Sequence, residues 1–252
     1  MKILKELLLA TVLICPVFAE SQSDSIEVDE ETEMSEVNDP LEPFNRGVYA
    51  VNSVIDGLVM KPLAITWRLV LPQPVRDGAG HVLTNLKSPI TAANHLLQGE
   101  PKQAATAVGR FFINTTVGIL GIFDAAADLG LPGEETTFNE TLAVWGVNTG
   151  PYLIVPIIGP SSVRHVVGMG GDYFLQPYNY YFNGDHDHGD SWVPTAIAGV
   201  DAIHHRNLVL ESVDDVVDNA ADPYATFRSA YFQYQSHRLK KLKELKERRS
   251  SE

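Results

Sequence analysis

The sequence predicts an all-α fold, and three observations support this prediction. Apolar residues recur at three- and four-residue spacing, as in Val48, Val51, Ile55 and Val59, which is the spacing of one helix face. Proline repeatedly follows a residue that can cap a helix, where its missing N–H is not needed. Runs of alternating apolar and polar residues, which would indicate strands, are sparse along the chain.

Composition limits both the size of the core and the kind of partner. The 252 residues are 44% hydrophobic, enough to bury one sizeable core or two small ones. A formal net charge of −13 argues against nucleic acid as a partner, because phosphate binding needs clustered lysine and arginine. The charges are concentrated in an acidic segment near the beginning and a basic segment at the end, and we expect both to be solvated.

Residues 1–19 have the pattern of an export signal peptide. Lysines precede an apolar stretch over residues 7–14, and a small-residue cleavage pattern ends at Ala19. Cys15, the only cysteine, would leave with this signal. The alternative is a lipid anchor on Cys15, but a small residue normally precedes a lipidated cysteine and Ile14 stands there instead.

The mature chain divides into three parts. Residues 20–37 are polar and acidic and predict a disordered linker. Residues 38–236 are predicted to form the helical domain, whose first helix would be capped by Asp39 with Glu42 completing a capping box. Residues 237–252 form a basic tail that we expect to be a solvated helix end, with binding to anionic lipid or to a partner as the alternative.

Two apolar regions are interrupted by residues that break regular structure. Residues 110–131 have apolar side chains on nearly every side, which predicts a buried, kinked core helix with neighbours all round. Residues 141–171 contain so many glycines and prolines that neither a regular helix nor a long strand is expected there. Apolar side chains in irregular backbone indicate a loop that lines a cavity or lies at an interface.

The search for catalytic chemistry is negative. The sequence contains no nucleophile elbow, phosphate-binding loop, dinucleotide fingerprint or zinc-protease motif, so we predict no catalytic residue, no cofactor and no metal. The loop from Asp185 to His188 contains oxygen and imidazole ligands, and a periplasmic metal-dependent hydrolase is therefore an alternative function. A polar loop is the preferred interpretation, and His204 with His205 is interpreted as a helix surface pair.

Three motifs, in this order and at these spacings, resemble the MlaA (VacJ) family of bacterial outer-membrane lipid-asymmetry proteins. They are DPLEPFNR at residues 39–46, RFFINT at residues 110–115, and WGV with GPYL and a following proline at residues 145–156. The resemblance extends over residues 38–235, nearly the whole mature chain. Several motifs in one order are more specific than any single motif.

The resemblance implies a ring-like, all-helical, membrane-associated domain in the inner leaflet of the bacterial outer membrane, on its periplasmic side. Glycine- and proline-rich apolar loops would line a central amphipathic channel. Family members remove phospholipid misplaced in the outer leaflet, pass it to a soluble periplasmic carrier, MlaC, and associate with a trimeric porin. They are not enzymes. A soluble helical adaptor whose apolar loops bind only protein is a further alternative.

The resemblance also supplies candidate channel residues. Phe44 and Asn45 fall in the family motif that influences whether the channel is open, although Asn45 is equally compatible with an ordinary polar position in a helix. The aromatic residues of the later motif are compatible with packing at a membrane boundary as well as with channel lining. The candidates for the lipid path are Phe44, Asn45, Trp145, Gly146, Gly150, Pro151 and Tyr152.

Overall fold

Helices dominate the computed structural model, which describes residues 39–183 and 192–250. In chain order, the elements are α1 (Glu42–Ile55), a π-helical turn (Asp56–Met60), α2 (Lys61–Val70), α3 (Gln73–Leu97), α4 (Pro101–Thr116), α5 (Ala125–Asp128), α6 (Phe138–Val144), β1 (Tyr152–Val155), β2 (Gly159–Ser162), α7 (Val163–Leu175), α8 (Pro177–Asn183), α9 (Val193–Leu208), α10 (Leu210–Asn219) and α11 (Pro223–Ser250). The all-α prediction is confirmed. The signal peptide, Cys15, the acidic linker and the loop from Asp185 to His188 lie outside the described residues.

A short hairpin interrupts the helices. Strands β1 and β2 pair antiparallel, with Tyr152 opposite Ser162 and Val155 opposite Gly159. The sequence did not predict this hairpin, because its turn contains the proline and glycine that argued against strands. Ile157 has φ 70° and Gly159 has φ 96°, and such left-handed residues reverse the chain direction in a tight turn.

The prediction of irregular backbone over residues 141–171 holds only for its middle. Helix α7 continues through Gly168, Gly170 and Gly171, because glycine lets the neighbouring chain approach closely. A Cβ atom at Gly168 would lie 2.6 Å from the backbone nitrogen of Asn139 in α6, a distance that real Cβ atoms do not adopt. Gly168 and Gly171, whose added Cβ atoms would clash with Asn139 and Phe138, therefore serve helix packing here instead of breaking the helix.

Aromatic side chains form the small apolar core that joins the hairpin to the C-terminal helix. Tyr152 and Ile154 of β1 pack against Tyr224 and Tyr231 of α11. The ring centroids of Tyr152 and Tyr231 are 5.8 Å apart, and those of Tyr152 and Tyr224 are 6.2 Å apart. These are the tilted and edge-on arrangements that aromatic pairs prefer.

Much of the apolar surface points outward instead of into a core. Val54, Leu58 and Leu69, on α1, the π-helical turn and α2, are 59%, 74% and 81% exposed. The continuous helical stretch Glu42–Val70 is long and apolar enough to cross a membrane, judged by length and composition alone. The same features suit a helix lying along a lipid surface. The periodicity thus identified a real apolar face, but this face is exposed.

The region over residues 110–131 contradicts its prediction in the same way. Helix α4 ends at Thr116 and exposes Phe112 in its last two turns, and the turns that follow expose Leu120 and Phe123. The side chains that face inward are polar. The prediction of a buried helix with apolar neighbours all round is therefore wrong, and this region instead contributes an apolar patch to the surface.

The basic C-terminal end also differs from its expectation. Helix α11 continues to Ser250, and its Leu242 side chain is buried. Arg238 forms an ion pair with Glu140 at 2.8 Å, and Arg249 forms one with Glu100 at 2.8 Å. These side chains attach the last turns of the helix to α4 and α6, so this end is not simply solvated.

Two glycines in α7 provide a matched test of this packing. We expect Gly168→Ala to destabilise the protein by about 2 kcal/mol, because the added methyl group meets the backbone of α6. Gly170→Ala meets no atom within 4 Å and should stabilise by about 0.5–1 kcal/mol through its better helix propensity. Chemical unfolding of the detergent-solubilised variants, followed by circular dichroism, measures both changes. Equal effects at the two positions would contradict this account of the packing.

Candidate functional site

A cavity of about 800 Å³ lies among helices α3, α4, α7 and α9, with the segment that joins α5 to α6 forming part of its wall. The wall is amphipathic, because apolar side chains such as Leu83, Ile90 and Leu208 alternate with charged and polar groups. Cavities of this size hold small ligands or parts of larger ones. This cavity is therefore the candidate functional site.

One side of the wall carries a cluster of charged groups from α3 and α9. The Lys87 amine donates to both carboxylate oxygens of Asp201, at 2.8 and 3.0 Å, and His205 Nε2 lies 3.3 Å from Asp201 Oδ1. Burial alone would raise the pKa of Asp201, but the hydrogen bond from His205 and the charge of Lys87 outweigh it and lower the pKa to about 2. Asp201 is therefore ionised at neutral pH.

Two histidines in the wall are held in the neutral form. Burial lowers the pKa of His165 to about 4, and it does the same for His204. His204 packs against α3 at Gly80, where a Cβ atom would lie 2.7 Å from its Nε2. Its Nδ1 has no hydrogen-bond partner among the residues described. The interpretation of His204 and His205 as a surface pair is wrong, because both side chains line the cavity.

The opposite side of the wall contains a polar centre built by the 110–131 region. Arg110 pairs with Asp124 at 2.7 Å and also donates to the carbonyl of Leu131. Asn114 donates to Asp124 at 2.9 Å and accepts from the backbone of Ala126 at 2.8 Å. These bonds satisfy backbone groups of Ala126 and Leu131 from inside, and the turns over residues 117–123 form main-chain hydrogen bonds of their own. The turns can therefore expose their apolar side chains outward.

Asp172 of α7 is a buried carboxyl group in the same wall. Its Oδ1 accepts hydrogen bonds from Asn94 Nδ2 and from the backbone N–H of Phe138, each at 2.9 Å. Burial raises the pKa of Asp172 to about 7, because the loss of hydration outweighs these two donors. The charge of this carboxyl group therefore changes near neutral pH.

We expect Asp172→Asn to alter the pH dependence of stability. The native pKa is raised above the ordinary value of 3.8, so the native state binds more protons than the unfolded state between pH 4 and 7. Wild-type stability should therefore fall as pH rises through this window. The asparagine side chain keeps an oxygen that accepts from both Asn94 and the N–H of Phe138, but it has no ionisable group. Above pH 7 the variant should therefore be more stable than the wild type by on the order of 3 kcal/mol. Denaturant unfolding at pH 5 and pH 8 measures the difference, and parallel pH profiles would contradict the assignment.

Asn45, a candidate from the sequence, is fully buried and joins the first helix to the hairpin. Its side-chain amide donates to the carbonyl of Tyr152 at 3.1 Å and to Asp39 at 2.8 Å, and its oxygen accepts from the N–H of Ile154 at 2.9 Å. Asn52, two helical turns later, bonds in the same way to Val155 and Ile157. Both amides thus bind the strand from the same face of α1.

Asp39 has a different role from the one predicted. Helix α1 begins at Glu42 after Leu41 and has no side-chain cap, so the predicted capping box is absent. The Asp39 carboxylate instead accepts from Asn45, from the Tyr224 hydroxyl and from Arg228, the last at 3.2 Å. It therefore connects the start of the domain to its C-terminal helix.

The remaining sequence candidates lie on the hairpin side of the molecule. Phe44 and Trp145 are 60% and 53% exposed, and the Trp145 indole donates to the carbonyl of Leu97 at 3.0 Å. Gly146 and Gly150 have φ values of 85° and 72°, which favour glycine. Pro151 accepts a backbone hydrogen bond from Val163 at 3.3 Å, and Tyr152 is fully buried in the aromatic core.

None of the seven candidates is among the residues that line the cavity. The cavity side chains that sequence reasoning missed include Lys87, Arg110, Asp172 and Asp201. Asp201 and His205 are four residues apart on one helix, a spacing that places two side chains on the same face. No comparable signal connects Lys87 with Asp201, because their contact spans 114 residues of sequence.

A substitution at Asn45 separates its role from that of its exposed neighbour. We expect Asn45→Ala to destabilise the protein by about 2–3 kcal/mol, because it leaves the buried backbone groups of Tyr152 and Ile154 without partners. Phe44→Ala should change stability by less than about 0.5 kcal/mol, because its side chain is exposed. Thermal unfolding in detergent checks both values. An unchanged melting temperature for Asn45→Ala would show that the amide does not secure the hairpin.

Outward apolar helices around an amphipathic cavity define a helical protein of the membrane-associated class. Comparison with known proteins specifies this class further. The chain belongs to the family described as MlaA lipoprotein, whose sequence model matches residues 37–238. The family resemblance drawn from the three motifs is thereby confirmed.

Relatives and a solved structure support the same assignment. The Haemophilus influenzae intermembrane phospholipid transport system lipoprotein MlaA is 35% identical over 80% of this chain and 79% of its own length. The Escherichia coli protein of the same name is 34% identical over 78% of this chain and 76% of its own length. A solved structure from work on the structural basis for maintenance of bacterial outer membrane lipid asymmetry has a TM-score of 0.66 and 34% identity, covering 77% of this chain and 96% of its own.

Proposed function

We propose that this protein takes part in intermembrane phospholipid transport and maintains lipid asymmetry in the bacterial outer membrane. In this proposal it removes misplaced phospholipid from the outer leaflet through its amphipathic cavity and passes it to an MlaC-like periplasmic carrier. The observation that carries the proposal is the arrangement of the domain, with apolar side chains outside and a polar, charged cavity of about 800 Å³ inside. A phospholipid combines an apolar and a polar part, and this arrangement provides an environment for each.

The exterior supports a location in one leaflet of a membrane. The exposed apolar residues of α1, α2 and the turns after α4 belong to a surface too apolar for a protein surrounded only by water. Contact with acyl chains, or with the apolar surface of a trimeric porin, would cover it. The proposal places the protein at the outer membrane, with the side that hands lipid to the carrier facing the periplasm. The outer-membrane part is supported by the similar solved structure from work on outer membrane lipid asymmetry.

A role for Phe44 and Asn45 in opening the lipid path is part of the proposal. Asn45 holds strand β1 through two backbone groups, and the segment after Trp145 leads into this strand. A change at Asn45 would release the strand and move that segment relative to α3, to which Trp145 is hydrogen-bonded. In this way a residue outside the cavity can influence access to it.

Two alternatives make different predictions. A metal-dependent hydrolase would use residues 185–188, which lie outside the described structure. Residues 39–183 and 192–250 contain no group of three or more side chains that could bind a metal ion. Stoichiometric metal in protein purified without an affinity tag would favour it. The soluble adaptor predicts no membrane fraction and no bound lipid.

The direct test is a substitution that narrows the cavity, assayed in cells. Thr84 lines the cavity, and its side chain is exposed. Thr84→Trp should therefore obstruct the lipid path without disturbing a buried contact. Deletion of the gene should raise phospholipid in the outer leaflet, detected with a probe that does not cross the membrane. The wild-type gene should reverse this rise, and Thr84→Trp should reverse less than half of it.

Thr226→Trp is the matched control, because Thr226 is exposed on α11 and is not among the cavity-lining residues. It should restore asymmetry as the wild type does. Protein levels of both variants are compared in isolated membranes. Full restoration by Thr84→Trp at normal levels would contradict passage through this cavity, and an unchanged outer leaflet on deletion would contradict the proposed function.

A further inference from the structure

The charged groups of the cavity wall are unequal in number. Among the described lining residues, five carboxyl groups face two cationic side chains. The carboxyl groups are Asp124, Glu134, Glu135, Asp172 and Asp201, and the cations are Lys87 and Arg110. An anionic ligand therefore meets more negative than positive charge in this wall.

Both cations are already neutralised by carboxylates of the wall itself. The Lys87 amine contacts both oxygens of Asp201, and the Arg110 guanidinium contacts both oxygens of Asp124, at 2.7 and 2.9 Å. A phosphate that bound either cation would have to compete with a carboxylate only a few ångströms away. The wall thus differs from an anion site, in which guanidinium or ammonium groups point at the ligand unpaired.

Two of the five histidines among the described lining residues, His165 and His204, do not correct this imbalance. His165 and His204 are buried, and their low pKa values keep both rings uncharged at neutral pH. His204, 7% exposed, leaves its Nδ1 without a hydrogen-bond partner within residues 39–183 and 192–250. A neutral imidazole can exchange a hydrogen bond with a ligand, but it adds no positive charge.

Among the described lining residues, Glu134 has a paired cation outside the wall, whereas Glu135 and Asp172 have no ion-pair partner. Glu134 pairs with Arg249 of α11, and the nearby Arg238 is bound to Glu140. Glu135 is exposed at the rim and has no ion-pair partner among residues 39–183 and 192–250. Asp172 has two hydrogen-bond donors but no paired cation within the same ranges. The remaining negative charge is therefore that of Glu135 at the rim, to which Asp172 within the wall adds where its carboxyl group, with a pKa of about 7, is ionised.

We propose that this cavity selects phospholipid headgroups that carry an ammonium group and no net charge, of the phosphoethanolamine class, over anionic headgroups. This inference rests on the proposed function, since it names the substrate class of the same cavity. The ammonium group offers N–H donors and positive charge to the unpaired carboxylates, with Glu135 the first that a headgroup meets at the rim. An anionic glycerol headgroup finds no unpaired lysine or arginine among the described lining residues, because Lys87 and Arg110 are bound to Asp201 and Asp124, and it is repelled by the same carboxylates.

The test measures which lipid the full-length protein retains. Purified protein is equilibrated in detergent micelles with equal amounts of phosphatidylethanolamine and phosphatidylglycerol that have identical acyl chains. It is then re-isolated, and the bound lipids are quantified by mass spectrometry against a mock sample without protein. We expect phosphatidylethanolamine to be enriched at least threefold over the input ratio.

Variants of Glu135, at the rim of the cavity, test whether charge causes the preference for phosphatidylethanolamine. Glu135→Lys should lower the enrichment by roughly three- to tenfold, because it reverses one charge at the entrance, and Glu135→Gln should give an intermediate value. Glu244→Lys makes the same charge change at an exposed position of α11 that is not among the lining residues and should leave the ratio unchanged. Melting temperatures verify that the variants are folded.

The outcomes distinguish this inference from the function on which it rests. Retention of both lipids at the input ratio, or equal ratios for Glu135→Lys and Glu244→Lys, would overturn the selectivity and leave lipid binding intact. Retention of neither lipid above the mock sample would overturn the proposed lipid path, and the selectivity with it. Enrichment of phosphatidylglycerol would overturn the charge argument directly.

Discussion

Buried polar groups must find hydrogen-bond partners inside the fold, and the rest of this structure depends on that requirement. Leaving one such group unpaired costs about 1–3 kcal/mol, so the amide side chains of Asn45, Asn94 and Asn114 each occupy positions where they bond to other segments. The contacts of Asn45 and Asn94 link segments that are 107 and 47 residues apart in sequence. Polar bonding therefore does much of the joining that apolar packing does in most water-soluble proteins.

The same requirement explains why the apolar side chains can face outward. In residues 110–131, the exposed turns over residues 117–123 form main-chain hydrogen bonds of their own, and the polar centre of Arg110, Asn114 and Asp124 holds the following segment from inside. The loop then needs no apolar core beneath it, and its phenylalanine and leucine side chains remain exposed. A lipid environment would stabilise such a surface, since apolar contact with acyl chains replaces contact with water.

The cavity is a consequence of this polar interior. Its charged groups come partly from the polar faces of helices and partly from the segments on either side of α5, and most of these charges are paired. Burial favours the neutral form of both Asp201 and Asp172, but the partners of Asp201 lower its pKa whereas lost hydration raises the pKa of Asp172. The wall therefore combines fixed charges with one group that titrates near neutral pH, which fits a path for an amphipathic molecule within a family of lipid-transport lipoproteins.

The sequence by itself determined the helical class, most helix positions and the family, because helix hydrogen bonds are local and the family motifs are short and contiguous. Only the tertiary structure decided which way each apolar face points, since periodicity reveals a face but not the environment that it meets. The tertiary structure also determined the cavity, because Lys87 contacts Asp201 across 114 residues of sequence and His204 of another helix packs against Gly80. Contacts of that kind depend on how the helices pack, and no local pattern encodes them.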